Sequence, residues 1–303
     1  MATLVADGGG AASDEDNFFR SPAFLAAEDV SHTIDIAGAL RLPVIVRSIE
    51  GSDRLDAISP YGYPGASAQP QRSLDPGEID WSETGLVSVF IRGRIGDPAP
   101  FQGGTLRNHV HIADGSSGVR KRLREQIRRN ERRGWAIETI RGPEADAEAR
   151  TGFARAYGET MARTEAAERY LYPSEYFERL LRSDRSWLVL GVRDGATLAG
   201  AIAVASDGYL HYYLGGTADD ALADSPMKNL FAAMIALGEE LSLPVNLGGG
   251  IKLGDSLDDF KRGFANREAP FRTHELVCDP LAYEELVSKA APAPAGFFPA
   301  YRA

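Results

Sequence analysis

Residues 187–205, WLVLGVRDGATLAGAIAVA, are two apolar runs joined through Arg-Asp-Gly, a hairpin signal that commits this part of the chain to antiparallel sheet. The surrounding pattern is equally legible. WAIETI (135–140) reads as a strand, followed by Ala- and Glu-rich helices over about 144–162 and 174–183. YLHYYLGG (209–216) supplies a third antiparallel strand. Pro226 opens a helix to about Leu241, with Ser225 as its N-cap. PVNL (244–247) is a short buried strand that runs into three glycines. A helix over 255–263, a strand near 271–277 and a helix from about 280 complete the order.

The first third is less clearly marked. LPVIVRSIE (42–50), RLDAIS (54–59), GLVSVFIRG (85–93) and TLRNHVHIA (105–113) read as strands, and SPYGYPGASAQPQ (59–71) reads as a loop. Residues 1–17, rich in glycine and acids and without an apolar h-region, read as a disordered tail and not as a secretory signal. The expected domains are 18–115 and 116–303, with the last segment free to return to the first. A chain of 303 residues accommodates two. No apolar run is long enough to span a bilayer. One cysteine, Cys278, excludes an internal disulfide framework, so a cytoplasmic location is expected.

The formal net charge of −10 argues against a general nucleic-acid binder and against a DNA partner. Yet RKRLREQIRRNERR (120–133) holds eight Arg or Lys against two Glu. On a helix Val119, Leu123 and Ile127 form a narrow apolar stripe, which leaves either a solvated basic face or one turned to phosphates. There is no G-x-S-x-G elbow, Walker A loop or H-E-x-x-H. His109 and His111 share a strand face but have no cysteine or acidic partners in sequence, so no metal is expected. Asp219-Asp220 and Asp258-Asp259 read as solvated turns, and Cys278 as filler. In VNLGGGIKLGDSLDDFKRGFA (245–265), Gly248, Gly249 and Gly250 either make a tight strand–helix turn or admit a substrate to bare backbone. On the following helix Leu257, Phe260 and Phe264 form the expected inner stripe, with Lys261 beside it and its ammonium reaching outward.

Read together, PYGYPG (60–65), VFIR (89–92), RRNERRGW (128–135), ETMARTEAAERYLYPSEYFERL (159–180), LHYYLGGT (210–217), LGGG (247–250) and DSLDDFKRGF (255–264) resemble the Fem family of aminoacyl-tRNA-dependent aminoacyltransferases. The element order from residue 135 onward is likewise that of the GNAT acyltransferase fold. The resemblance implies an α/β (α+β) chain of two GNAT-like domains, mixed sheets flanked by helices, the N-terminal one trimmed. It implies amide formation between the ester of an aminoacyl-tRNA and a primary amine of a peptide-like acceptor lying between the domains, such as a peptide antibiotic or peptidoglycan precursor. The ester is already activated, so no cofactor is expected.

Carried over residue by residue, the resemblance makes Lys261 the catalytic cation. Tyr61, Arg163, Tyr170, Tyr212, Gly248, Gly249, Gly250, Asp255, Phe260 and Phe264 become substrate contacts, and Arg124, Arg128, Arg129 and Arg132 tRNA contacts. No helical arm is inserted, and the N-terminal segment lacks the lysine that holds a nucleotide-linked acceptor in cell-wall members. Two rivals remain: an acyl-CoA-dependent GNAT N-acyltransferase and a non-catalytic tRNA- or peptide-binding module. Against the first, the junction where CoA enzymes place a glycine-rich loop reads ADSPMKNLF. The second leaves Lys261 and the glycines without a purpose.

Overall fold

The computed structural model describes residues 1–67, 73–95, 100–115, 118–250 and 254–303. They form two compact units, residues 1–107 with 270–303, and residues 108–269.

The first unit opens with β1 (Ala2–Val5), α1 (Pro22–Ala27), β2 (His32–Ile36), β3 (Leu40–Ser48), β4 (Leu55–Ile58) and β5 (Leu86–Arg92). β1, β2, β3 and β4 pair antiparallel in that order, and β4 pairs β5 parallel. The segment read as a tail is therefore corrected: Ala2 to Val5 lie opposite Ile36 to Thr33, and Ala2 is fully buried. The cause is Asp7. Its carboxylate accepts the N–H groups of Gly9 and Ala11 and the Thr33 hydroxyl, closing the glycine-rich turn back on β2.

The second unit holds β6 (Thr105–Ala113, from Asn108), α2 (Lys121–Arg132), β7 (Ala136–Arg141), α3 (Ala147–Arg163), α4 (Ser174–Leu181), β8 (Ser186–Arg193), β9 (Ala196–Ser206), β10 (Tyr209–Thr217), α5 (Met227–Leu241), β11 (Val245–Asn246) and α6 (Ser256–Arg262). Its sheet runs β7-β8-β9-β10-β11-β6 and is antiparallel except where β10 meets β11. Val189, Ala201, Phe231, Met234 and Phe264 are among its buried core residues. α3 is tied to β10 where the Thr217 N–H donates to Thr160 Oγ1 at 2.8 Å. At α5 the expected Ser225 cap is absent. Pro226 itself is the N-cap and Ser225 stands at φ +50°.

The chain returns to the first unit within β12 (Arg267–Val277), which pairs β5 antiparallel, and continues into α7 (Pro280–Lys289). The C-terminal residues are held by Asp56, whose side chain is fully buried. It accepts from Arg47 Nε at 2.9 Å, Tyr301 Oη at 3.1 Å and Arg302 Nε at 2.5 Å. Asp56→Ala removes the common acceptor of two cations and should cost about 2–3 kcal/mol in denaturant unfolding. A loss within error of zero would mean that the two guanidinium groups rehydrate without penalty.

Candidate active site where two parallel strands part

The parallel ladder between β10 and β11 has two rungs, Leu210↔Val245 and His211↔Asn246. β10 continues to Thr217 with a register break against β9 between Tyr212 and Leu214, while β11 ends and the chain turns through the glycines. Lys261 closes this notch. Its Nζ donates to the Gly249 carbonyl at 2.8 Å and stands 5.4 Å from the centre of the Tyr212 ring. The residue is only 6% exposed. Burial pulls its ammonium pKa down to about 8, with Asp255 and Asp258 acting in the opposite direction.

The glycines answer first to the fold. Gly248 has φ +75°, donates its N–H to Asn246 Oδ1 at 2.9 Å and accepts the His111 N–H at 3.1 Å. A Cβ on Gly249 would lie 2.5 Å from Asn108 Nδ2 and 2.8 Å from the His109 carbonyl. On the side of Gly249 where a Cβ would stand, the chain's own β6 approaches the bare backbone, and the Gly250 carbonyl receives Asn108 Nδ2 at 3.4 Å. The N–H groups of Gly249 and Gly250 have no acceptor among the described residues, and both glycines are half-buried. Two consecutive backbone donors and one ammonium therefore share this turn.

α6 buries polar side chains beside its phenylalanine. Leu257 is 37% exposed, whereas Asp258 and Lys261 are buried. Asp258 accepts His111 Nε2 at 2.7 Å and an Arg262 N–H, so it is no solvated turn; Asp259 is exposed and pairs with Arg120. Phe260 and Phe264 do pack inward, against Phe231. The Lys261 ammonium accordingly points into the notch and not outward. Asp255 is the helix N-cap, accepting the Asp258 N–H at 2.8 Å. No group of three or more His, Cys, Asp or Glu among the described residues is arranged to hold a metal.

Tyr212 and Tyr170 are brought together with a tyrosine that motif reading did not single out. The Tyr157 hydroxyl donates to the Tyr170 carbonyl at 2.9 Å. Burial and the neighbouring Tyr212 and Tyr170 hydroxyls push its pKa up, and burial raises the Tyr212 phenol to about 12. The spacing of Phe153, Tyr157 and Thr160 along α3 was the available signal. Arg163 is committed elsewhere, to Asp219 and the Thr217 carbonyl, so it is not an open fork and the Asp219-Asp220 turn is partly engaged. Tyr61 belongs to the first unit, where its N–H donates to Glu28 and its ring lies 5.8 Å from the Arg92 guanidinium.

On α2, Leu123 and Ile127 pack on the core, and buried Asn130 bonds the Asp224 carbonyl and Asn229. The helix-end cations are tied: Arg120 to Asp259, Lys121 to Glu125 and Arg133 to Asp224. Arg124, Arg128, Arg129 and Arg132 are exposed, with no ion pair among the described residues.

Residues 117–262 match a family model described as an acetyltransferase (GNAT) domain. That stretch has a GNAT-like fold. Several solved structures share the fold at low identity. The C-terminal domain of a putative lysylphosphatidylglycerol synthetase from Agrobacterium fabrum is 13% identical, with a TM-score of 0.57 over 91% of this chain and 93% of that one. FemX is 11% identical, with a TM-score of 0.58 over 84% and 89%. L-PGS from Bacillus licheniformis is 15% identical, with a TM-score of 0.56 over 84% and 86%. No curated protein matches the chain in sequence. No described helix is long and apolar enough to cross a membrane.

Proposed function

We propose that the protein transfers an amino acid from aminoacyl-tRNA to a primary amine of a peptide-like acceptor. The observation that carries this reading is Lys261, a buried ammonium held on the glycine turn where β10 and β11 part. The acceptor nitrogen attacks the ester carbonyl, giving a tetrahedral oxyanion. Collapse breaks the bond to the ribose oxygen, and the proton lost by the amine ends on that oxygen. Lys261 and the N–H groups of Gly249 and Gly250, which have no acceptor among the described residues, stabilise the oxyanion, each donor being worth about 10²–10³-fold. Alignment of amine and ester accounts for up to about 7–11 kcal/mol more. Tyr157, Tyr170 and Tyr212 form the wall against which the acceptor lies. Arg163, bound to Asp219, is left out of the site.

The motif series that resembles the Fem family supports the aminoacyl donor, as do Arg124, Arg128, Arg129 and Arg132 of α2, which have no ion pair among the described residues. The start of α5 speaks against the acyl-CoA alternative. It has no glycine, its N-cap is Pro226, and no side chain caps it. The deciding experiment offers the purified protein a peptide amine with either charged tRNA or acetyl-CoA. Amide product with charged tRNA alone, formed without ATP, is expected. Turnover with acetyl-CoA and none with charged tRNA would overturn the reading.

A further inference from the structure

We propose that His211 and Asn246 are positioning residues, a buried hydrogen-bond relay that sets the glycine turn on which Lys261 rests. This builds on the reading of the Lys261 notch as the reaction centre. Both residues are buried, and they face each other at the last rung before the parallel strands part. Such rungs are ordinarily apolar, and a polar pair is costly there unless every group is satisfied. Here the direction of each bond is forced. The Ser206 carbonyl only accepts, so His211 Nε2, at 3.0 Å, carries the hydrogen. The neutral ring then offers a bare Nδ1, which accepts from Asn246 Nδ2 at 3.0 Å. The Gly248 N–H only donates, so Asn246 Oδ1 receives it at 2.9 Å.

Burial holds His211 neutral, with a pKa near 4 that the Ser206 carbonyl and Asp207 only partly oppose; the Tyr209 ring meets it in a T-shaped contact. The relay fixes Gly248 from the N–H side and His111 fixes it from the carbonyl side. The next carbonyl, Gly249, is the Lys261 acceptor. A shift of Gly248 therefore moves the ammonium relative to Tyr212, Asp255 and Asp258, the groups that face it.

Two substitutions separate positioning from packing. Asn246→Leu keeps the branched shape and deletes both bonds. Asn246→Asp keeps the Gly248 acceptor, and its second oxygen draws a proton onto His211 Nδ1, restoring the relay as an ion pair. The activity-independent readouts are NMR of histidine ring nitrogens and of ¹³C-dimethylated lysines. The chain has five lysines, and Lys261 is assigned by Lys261→Arg. Wild-type His211 should be the neutral Nε2–H tautomer, and in Asn246→Asp it should be imidazolium at neutral pH. The Lys261 titration should move by about half a unit or more, in either direction, in Asn246→Leu, and stay near its wild-type value in Asn246→Asp. In transfer assays Asn246→Leu should lose about 100-fold in kcat at unchanged KM for charged tRNA, with Asn246→Asp within about tenfold of wild type.

An unmoved Lys261 in folded Asn246→Leu would reduce the pair to packing, whatever reaction the protein performs. If Asn246→Leu does not fold, the His211 ring in Asn246→Asp decides alone, and a neutral ring there overturns the relay. Absence of aminoacyl transfer by the wild type would remove the reaction but leave both NMR outcomes standing.

Discussion

Lys261→Met is expected to lose about two orders of magnitude or more in kcat while leaving the chain folded and no less stable. The two halves of this result have one cause. Burial lowers the ammonium pKa from 10.5 to about 8, which corresponds to about 3 kcal/mol of destabilisation of the charged form. Methionine fills the stem without that penalty. The Gly249 carbonyl, left without its donor, costs about 1–3 kcal/mol in return. The terms nearly offset, so denaturant unfolding at neutral pH should show equal or higher stability. Asp258 is not stranded, because His111 and Arg262 still hold it. Turnover, on the proposed mechanism, loses a cation that acts on charge present only in the transition state. Near-normal kcat in the folded variant would leave catalysis to positioning and to the tRNA's own groups.

The sign of the pH dependence follows from the same shift. Between about 8 and 10.5 the unfolded chain keeps a proton on Lys261 that the folded chain has released. The stability of wild type relative to Lys261→Met should therefore rise with pH across that window, with the full penalty present below it. If the charged form works, kcat falls as pH rises through about 8. A kcat that rises through the same value would make Lys261 the base that takes the amine's proton.

The parts of the fold that can be read from sequence are those whose partners are local or whose apolar runs are long. WLVLGV and the run ending AVA become β8 and β9 within a residue or so, and α3, α4 and α7 lie close to their expected bounds. β1 escapes because its partners, Thr33 to Ile36, lie thirty residues on and its turn depends on Asp7. The site escapes in a more instructive way. The FKRGF cluster announces Lys261, but an apolar-stripe reading turns the ammonium outward. Over seven residues α6 buries Asp258 and Lys261, because His111 and the Gly249 carbonyl supply their hydrogen bonds. Hydrophobic periodicity carries no information about such polar partners, one of them 147 positions away. The glycine run shows the same limit. Its spacing marks a special backbone, and only packing reveals that β6 lies against Gly249 while the N–H groups of Gly249 and Gly250 have no acceptor among the described residues.

Reversing Arg128, Arg129 and Arg132 to Glu should weaken binding of charged tRNA by about two orders of magnitude at about 0.1 M salt. The slope of log K against log salt should flatten by up to about 0.9 for each phosphate that is no longer neutralised. These side chains are exposed and without carboxylate partners among the described residues, on a protein whose net charge is −10. Such a cluster is held together against its own repulsion. Lys228, at the start of α5, registers it, since its ammonium pKa is lowered first by burial and then by Arg129 and Arg122. The helix keeps its place by means the substitutions do not touch, through Leu123, Ile127 and the Asn130–Asn229 bond at 2.9 Å. Folding should therefore survive, and with it the Lys261 notch. On the proposed reading a bound RNA backbone would offset this repulsion, so the effect belongs to affinity, and kcat at saturating tRNA should stay within a few-fold of wild type. Unchanged affinity together with an unchanged salt slope would make α2 a solvated face and send the search for the tRNA surface elsewhere on the chain.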